Sequence, residues 1–339
     1  PLKFDDDSEN LKFASDSGDP HERPTKEISR SQIPQIELSV GTKLGNYRLD
    51  AELGQGAMGL VYKAHDEALD RPAAIKVINP RYIDSPTALA RMKVEAQAAA
   101  RLNHPNVMSV YAFGEQEGFD YMALEFIDGT DLAHIVKSEG PLEPKRALGY
   151  IRQAAEGLGY AAKNNVIHRD IKPANMMISN DGVVKIADFG LAKRLDAEAS
   201  LTATDTVMGS PAYMSPEQAM GQDLDLRTDI YSLGCSLYVL LVGRTPYQGD
   251  SPLTVMMKHA QEPIPEPESL RDLAGGDLRA LVHKMMAKSR EERFHSYEEL
   301  IREIDRVIDV LDWKAKPATG SQPALGNTAA LSASLPPLV

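Results

Sequence analysis

Cysteine is nearly missing from this chain: Cys235 is the single one among 339 residues. A lone thiol forms no internal disulfide, and no Cys/His cluster has the spacing of a zinc site. A reducing compartment suits such a chain, and Cys235 reads as a small buried apolar residue of a helix. An excess of positive charge is also lacking. Lys and Arg number 37 against 49 Asp and Glu, a formal net charge of −12. Sequence-independent nucleic-acid binding depends on cationic contacts to phosphates, so this balance argues against it. Long apolar runs are absent too. The longest, Ile230 to Val242 between Asp229 and Arg244, falls short of the roughly 20 residues that span a bilayer. It reads as a core helix that is apolar on all sides. No signal peptide is legible, and the chain opens on Pro1 rather than methionine, as an excerpt or a processed form would. The expectation is a cytoplasmic protein, or the cytoplasmic part of a longer membrane-anchored one.

What is present is a globular composition, 42% hydrophobic and 25% charged, in a chain long enough for a sizeable core. Residues 1–43 are polar, begin with Asp5-Asp6-Asp7 and carry no period, so they read as a disordered tail. Residues 313–339, rich in Ala, Pro, Ser, Gly and Thr, read as a second one. Between them, strand-like runs come first: Tyr47–Leu53, Leu60–His65, Ala73–Asn79, Val107–Glu115 and Phe119–Phe126. One helix interrupts them. Ser85 can cap it, Pro86 suits its first turn, and Leu89, Met92, Ala96 and Ala99 recur at helical spacing. From Leu132 onward helical patterns prevail. Ser296 and Glu299 form a capping box ahead of the stripe Leu300, Ile301, Ile304, Val307, Ile308 and Leu311. Strands followed by helices predict an α+β fold with two lobes.

Gly54-Gln55-Gly56-Ala57-Met58-Gly59 lies between two strand-like runs. Glycines let a hairpin bring its backbone N–H groups close to phosphates, with no Cβ in the way. In a dinucleotide-binding fold a helix would follow this pattern; here a strand does. Lys76 comes next, inside the apolar strand Ala73-Ala74-Ile75-Lys76. Glu95 sits among Met92 and Ala99 on the following helix. A carboxylate on an apolar stripe needs a partner, and Lys76 is the expected one.

Further on, His168-Arg169-Asp170-Ile171-Lys172-Pro173-Ala174-Asn175 precedes Asp188-Phe189-Gly190. Together they hold the polar groups that phosphoryl transfer needs: a carboxylate to receive a proton, a lysine for the phosphate, an amide and a second carboxylate for a divalent cation. With these segments in this order, the chain resembles the bacterial eukaryotic-like Ser/Thr protein kinases over about residues 44–312. Asp-Ile-Lys-Pro-Ala-Asn is of the Ser/Thr type, and Gly209-Ser210-Pro211-Ala212-Tyr213-Met214-Ser215-Pro216-Glu217-Gln218 looks like the substrate-docking segment. Ser215 stands where many members have alanine, an exchange expected to be harmless.

The resemblance implies a bilobal α+β fold. An N-lobe (44–127) would hold an antiparallel sheet and one main helix, and a mostly helical C-lobe (128–312) would follow. It implies ATP and Mg²⁺, with Mn²⁺ as a substitute, and Ser/Thr hydroxyls of proteins as acceptors. Asp170 would be the base and Lys172 would stabilise the transferring phosphoryl group. Asn175 and Asp188 would hold the metal, and Lys76, positioned by Glu95, would grip ATP under Gly54, Gly56 and Gly59. Leu53, Val61, Ala74 and Met177 would wall the adenine, with backbone groups of Glu125 and Ile127 on its edge and Asp131 at the ribose. Ser210 and Glu217 would serve the docking segment, with Glu217 paired to Arg293, while Asp229 would hold the catalytic-loop backbone and His168 would pack under Phe189. Arg169 would receive a phosphate on Thr202 or Thr204, placed there by a second copy of the chain. A pseudokinase would be expected to lack Lys76, Asp170 or Asp188, and all three are present. A small-molecule kinase would have no need of residues 209–218.

Overall fold

The computed structural model describes residues 38–56, 59–78, 86–189, 211–267 and 275–315. The expected tails therefore lie almost wholly outside the described residues, as do Ser85, Thr202, Thr204 and Ser210. Everything below belongs to the unit that begins at Val40.

Strands β1 (Lys43–Leu44), β2 (Tyr47–Gly56), β3 (Gly59–Asp66), β4 (Arg71–Ile78), β5 (Val110–Gln116) and β6 (Phe119–Glu125) form one antiparallel sheet in the order β1-β2-β3-β4-β6-β5. The Val107 run starts pairing later than its apolar pattern suggests, because Val107 instead bridges Ile186 in the C-lobe. Strand β4 is central, and Ala73 through Ile78 are all buried. Helix α1 (Pro86–Ala100) lays Met92 and Ala96 on a cluster with Ala74, Ile78, Met122 and Leu124. Its buried stripe thus runs 92, 96, 99, with Glu95 at the margin.

The lower lobe opens with a small antiparallel sheet of β7 (Gly129–Asp131), β8 (Met176–Ser179) and β9 (Val184–Ile186). Around it stand helices α2 (Leu132–Glu139), α3 (Pro144–Lys163), α4 (Pro216–Ala219), α5 (Leu226–Val242), α6 (Pro252–Gln261), α7 (Gly275–Met285) and α8 (Tyr297–Ala315). The apolar run at 230–242 is indeed buried on all sides, but its helix starts a turn earlier, capped by Asp225. Asp229 therefore lies inside the first turn rather than at its start. Helix α8 buries Leu300, Ile304 and Val307. Its capping box is displaced: Ser296 Oγ accepts from Glu299 N, while the Glu299 carboxylate reaches the N–H of His295. The helix continues through Trp313 to Ala315, past the expected boundary at 312.

Candidate active site

Alternation along β4 turns Ala74 and Lys76 to one face. Pairing aligns Gly54 with Val61, Val61 with Lys76, and Lys76 with Met122, so one row crosses four strands. Strands β2 and β3 meet at Gly56 and Gly59, and Gly59 has φ 144°, a conformation that only glycine adopts without strain. Leu53 on β2 is 51% exposed, Val61 is half-buried, Ala74 is buried, and Met177 on β8 is half-buried.

Lys76 itself is buried, and its Nζ lies 2.8 Å from both Asp188 oxygens. Asp188 thus meets Lys76 through both carboxylate oxygens, and Glu95 lies half-buried on α1 beside the buried Met92 and Ala96. The bidentate contact gives the buried ammonium the countercharge that its burial requires. Burial by itself would raise the Asp188 carboxyl. The Lys76 ammonium outweighs it, with His168 and Lys172 adding, and holds the group below the ordinary carboxylate range.

The catalytic-looking octet folds around Asp170. Lys172 Nζ donates to Asp170 Oδ2 at 2.9 Å, and Asn175 Nδ2 donates to the Asp170 carbonyl at 2.8 Å and to Oδ2 at 3.2 Å. With its nitrogen turned to Asp170, Asn175 keeps its amide oxygen for a cation. Asn175 and Asp188 suit Mg²⁺, which takes one or two protein oxygens and completes its shell with waters and phosphates. The loop is strained: Arg169 and Asp188 have φ of 68° and 58°. It is held from below, where the buried Asp229 carboxylate accepts the N–H groups of His168 and Arg169 at 2.7 Å each. His168 donates Nε2–H to the Ala187 carbonyl, accepts the Asp170 N–H on Nδ1, and stacks 4.7 Å from Phe189. Both its nitrogens are therefore engaged with backbone.

At the junction between lobes, the Glu125 N–H already donates to the Ser109 carbonyl, and its side chain pairs with Lys185 at 2.9 Å. A ligand edge here would have to meet the Glu125 carbonyl rather than its N–H. Ile127 is buried, and Asp131 caps α2 by accepting the N–H of His134. The segment expected to dock the substrate is described from the turn Pro211–Tyr213 onward, followed by α4. Glu217 and Arg293 form a two-pronged buried ion pair at 2.7 and 2.8 Å.

The protein kinase domain family model matches residues 47–303. The chain belongs to the protein kinase family. It is 43% identical over 267 residues to the serine/threonine-protein kinase PknB of Mycobacterium tuberculosis, covering 77% of this chain and 42% of that protein. It is 36% identical over 269 residues to a probable serine/threonine-protein kinase of Clostridium acetobutylicum, covering 79% and 41%. This chain thus spans about two fifths of the length of the curated relatives it matches. Among solved structures, the PknI kinase domain of Mycobacterium tuberculosis superimposes with a TM-score of 0.65 at 25% identity, over 80% of this chain and 99% of that one. The expected bilobal kinase fold is the fold observed.

Two groups in this kinase site escaped the sequence reading. Gln218 donates Nε2–H to the Arg169 carbonyl at 2.9 Å and so ties α4 to the octet beside Asp170. Ser215 is no neutral exchange for alanine. It caps α4 in a reciprocal box with Gln218, and the signal was the Ser-x-x-Gln spacing. The Lys185–Glu125 pair had no local signal, since 60 residues separate its members.

Proposed function

We propose that this chain is an ATP-dependent Ser/Thr protein kinase that works with Mg²⁺, or with Mn²⁺ in its place. The observation that carries the reading is the hydrogen-bonded group of Asp170, Lys172 and Asn175 beside the Lys76–Asp188 pair. In the reaction, a Ser or Thr hydroxyl oxygen forms a bond to the γ-phosphorus of ATP. The bond from phosphorus to the β–γ bridging oxygen breaks, ADP leaves with its electron pair, and the hydroxyl proton passes to the Asp170 carboxylate. Lys172 bears on the charge developing at the transferring group, and Lys76 orients the phosphates. A bound Mg²⁺ would supply charge neutralisation between the phosphates, held by Asn175 and Asp188. The adenine would lie among Leu53, Val61, Ala74 and Met177, bonded to the Glu125 carbonyl and the Ile127 backbone. The relatives' names support Ser/Thr specificity, as does Lys172 two positions after Asp170.

The test is transfer of labelled phosphate from Mg-ATP to casein. Wild-type protein should phosphorylate Ser and Thr, and Asp170→Asn should lose about 10²–10⁴-fold in rate. A fully active Asp170→Asn variant would sink the mechanism. We further infer that Thr202 or Thr204 is phosphorylated by a second copy of the chain and meets Arg169. Mass spectrometry after incubation with Mg-ATP should find the loop phosphate. An unchanged rate in the Thr202→Ala/Thr204→Ala variant would count against it.

A further inference from the structure

At the junction between the lobes, Asn106 to Met108 run beside β9 before the chain enters β5. The Ile186 N–H donates to the Asn106 carbonyl and the Met108 N–H donates to the Ile186 carbonyl, each at 2.9 Å. The Asn106 amide donates to the Val184 carbonyl at 2.8 Å. Val184 and Ile186 are fully buried in the C-lobe core. Alternation along the strand therefore turns Lys185 to the opposite face. There its ammonium meets Glu125, the last residue of β6.

Glu125 and Ser109 hold each other twice. The Glu125 N–H donates to the Ser109 carbonyl at 2.9 Å, and the Ser109 N–H donates to Glu125 Oε2 at 3.1 Å. The first bond fixes the peptide ahead of Glu125. The second closes a ring through its side chain, so the backbone torsions of Glu125 have little room to turn. The ring lasts only while the carboxylate stays on the Ser109 N–H. Lys185 Nζ, 2.9 Å from one carboxylate oxygen and 3.1 Å from the other, supplies the countercharge that keeps it there. Both side chains are mostly buried. Without that charge the carboxylate gains by rotating into solvent, which opens the Ser109 bond. The torsions held by the ring are the ones that aim the Glu125 carbonyl, the group that a ligand edge must meet.

We propose that Lys185 is a positioning residue for adenine selection: by holding the Glu125 carboxylate on the Ser109 N–H, it aims the Glu125 carbonyl at the 6-amino group of the base. The inference rests on the reading that places adenine against that carbonyl. An amino group donates and a carbonyl only accepts, so the two are complementary. Lys185 acts through Glu125 and not on the nucleotide. Its removal should therefore penalise a nucleotide that carries the amino group and spare one that lacks it.

Purine riboside 5′-triphosphate, which has hydrogen in place of the amino group, isolates that bond. In phosphate transfer to casein, the wild-type kcat/KM should favour ATP over this analogue about tenfold, the worth of one well-aimed hydrogen bond. Lys185→Met should bring the preference to within about threefold by lowering kcat/KM for ATP, with the analogue within about twofold of its wild-type value. Lys185→Arg keeps the charge and should keep the preference. Glu125→Leu leaves the backbone carbonyl in place, removes its tether and should match Lys185→Met. A Lys185→Met variant with the wild-type preference overturns the proposal. An equal loss with both nucleotides overturns it too, because loosened lobes would slow either one alike. So does a Glu125→Leu variant that keeps the full preference. If the wild type itself shows no preference, the reading of the adenine edge fails and the inference falls with it.

Discussion

Lys76 carries one ammonium, and two carboxylates on different lobes can claim it. In this structure Asp188 holds it through both oxygens, while Glu95 stands at the edge of the α1 stripe. Asp188 also belongs to the pair of residues suited to a divalent cation, so a cation there would compete with the lysine for the same oxygens. Asp188→Asn should then remove a ligand and the lysine's partner together, and phosphate transfer to casein should fall at least about 10²-fold. Glu95→Gln gives a sharper comparison. It should slow transfer by weakening the hold on Lys76, read as a fall in kcat/KM for ATP of about tenfold or more. An unchanged kcat/KM for ATP would mean that Glu95 takes no part in positioning Lys76. Lys76 and Asp188 were each legible as site residues, since the apolar strand around the lysine and the Asp188-Phe189-Gly190 triplet are local patterns. Their pairing was not, because 112 positions separate Lys76 from Asp188. Which carboxylate wins depends on how the lobes meet.

Helix α4 is a single turn, too short to persist by its own hydrogen bonds, and everything that keeps it comes from side chains. Ser215 and Gln218 close its N-terminus reciprocally, and Glu217 anchors it to Arg293 and to the hydroxyl of Thr228 at 2.8 Å. Burial would raise the Glu217 carboxyl, but Arg293 prevails and holds it below the usual range. Arg293 is fully buried and also donates to the carbonyls of Ala287, Arg227 and Lys288. Arg293→Leu should destabilise the protein by about 3–5 kcal/mol, because it strands a buried carboxylate. The double variant with Glu217→Gln should recover part of that loss, and urea denaturation of the single and double variants measures it. Full additivity would show that the pair is not coupled. Ser215→Ala should cost about 0.5–2 kcal/mol and should also raise the casein KM, because Gln218 loses its register on the Arg169 carbonyl. The anchor at 217 and 293 was readable from the family pattern. The cap was overlooked, although its four-residue spacing is entirely local, because Ser215 was weighed only as a replacement for alanine.

At the scale of the molecule, strands before helices was enough to expect two lobes, and the alternation along β4 was enough to place a lysine in the upper one. What composition and periodicity left out is the interior chemistry of the lower lobe, where His259, Lys288, Tyr231 and Tyr247 converge from separate helices and loops. That cluster makes a whole-molecule prediction about acid. Burial, with Lys288 adding, pushes the His259 imidazole down to about 3 from an ordinary value near 6.5. Among the described residues, the groups that contact it are Tyr231, Tyr247 and Lys288, none of them a carboxylate that could reverse this. Between those two values the unfolded chain binds a proton that the folded chain does not. The number of protons bound is then larger in the unfolded state, so stability rises with pH across the window and falls as acid is added. Going from pH 7 to pH 5, still above the range where the depressed carboxylates of Glu217, Asp225 and Asp188 begin to protonate, the loss from His259 should be about 2 kcal/mol. His104, lowered by burial as well, adds in the same direction. Urea midpoints at the two pH values should therefore separate clearly for the wild type and less for His259→Gln, whose amide does not titrate. If the variant loses as much as the wild type between pH 7 and pH 5, the buried histidine is not the group that acid attacks.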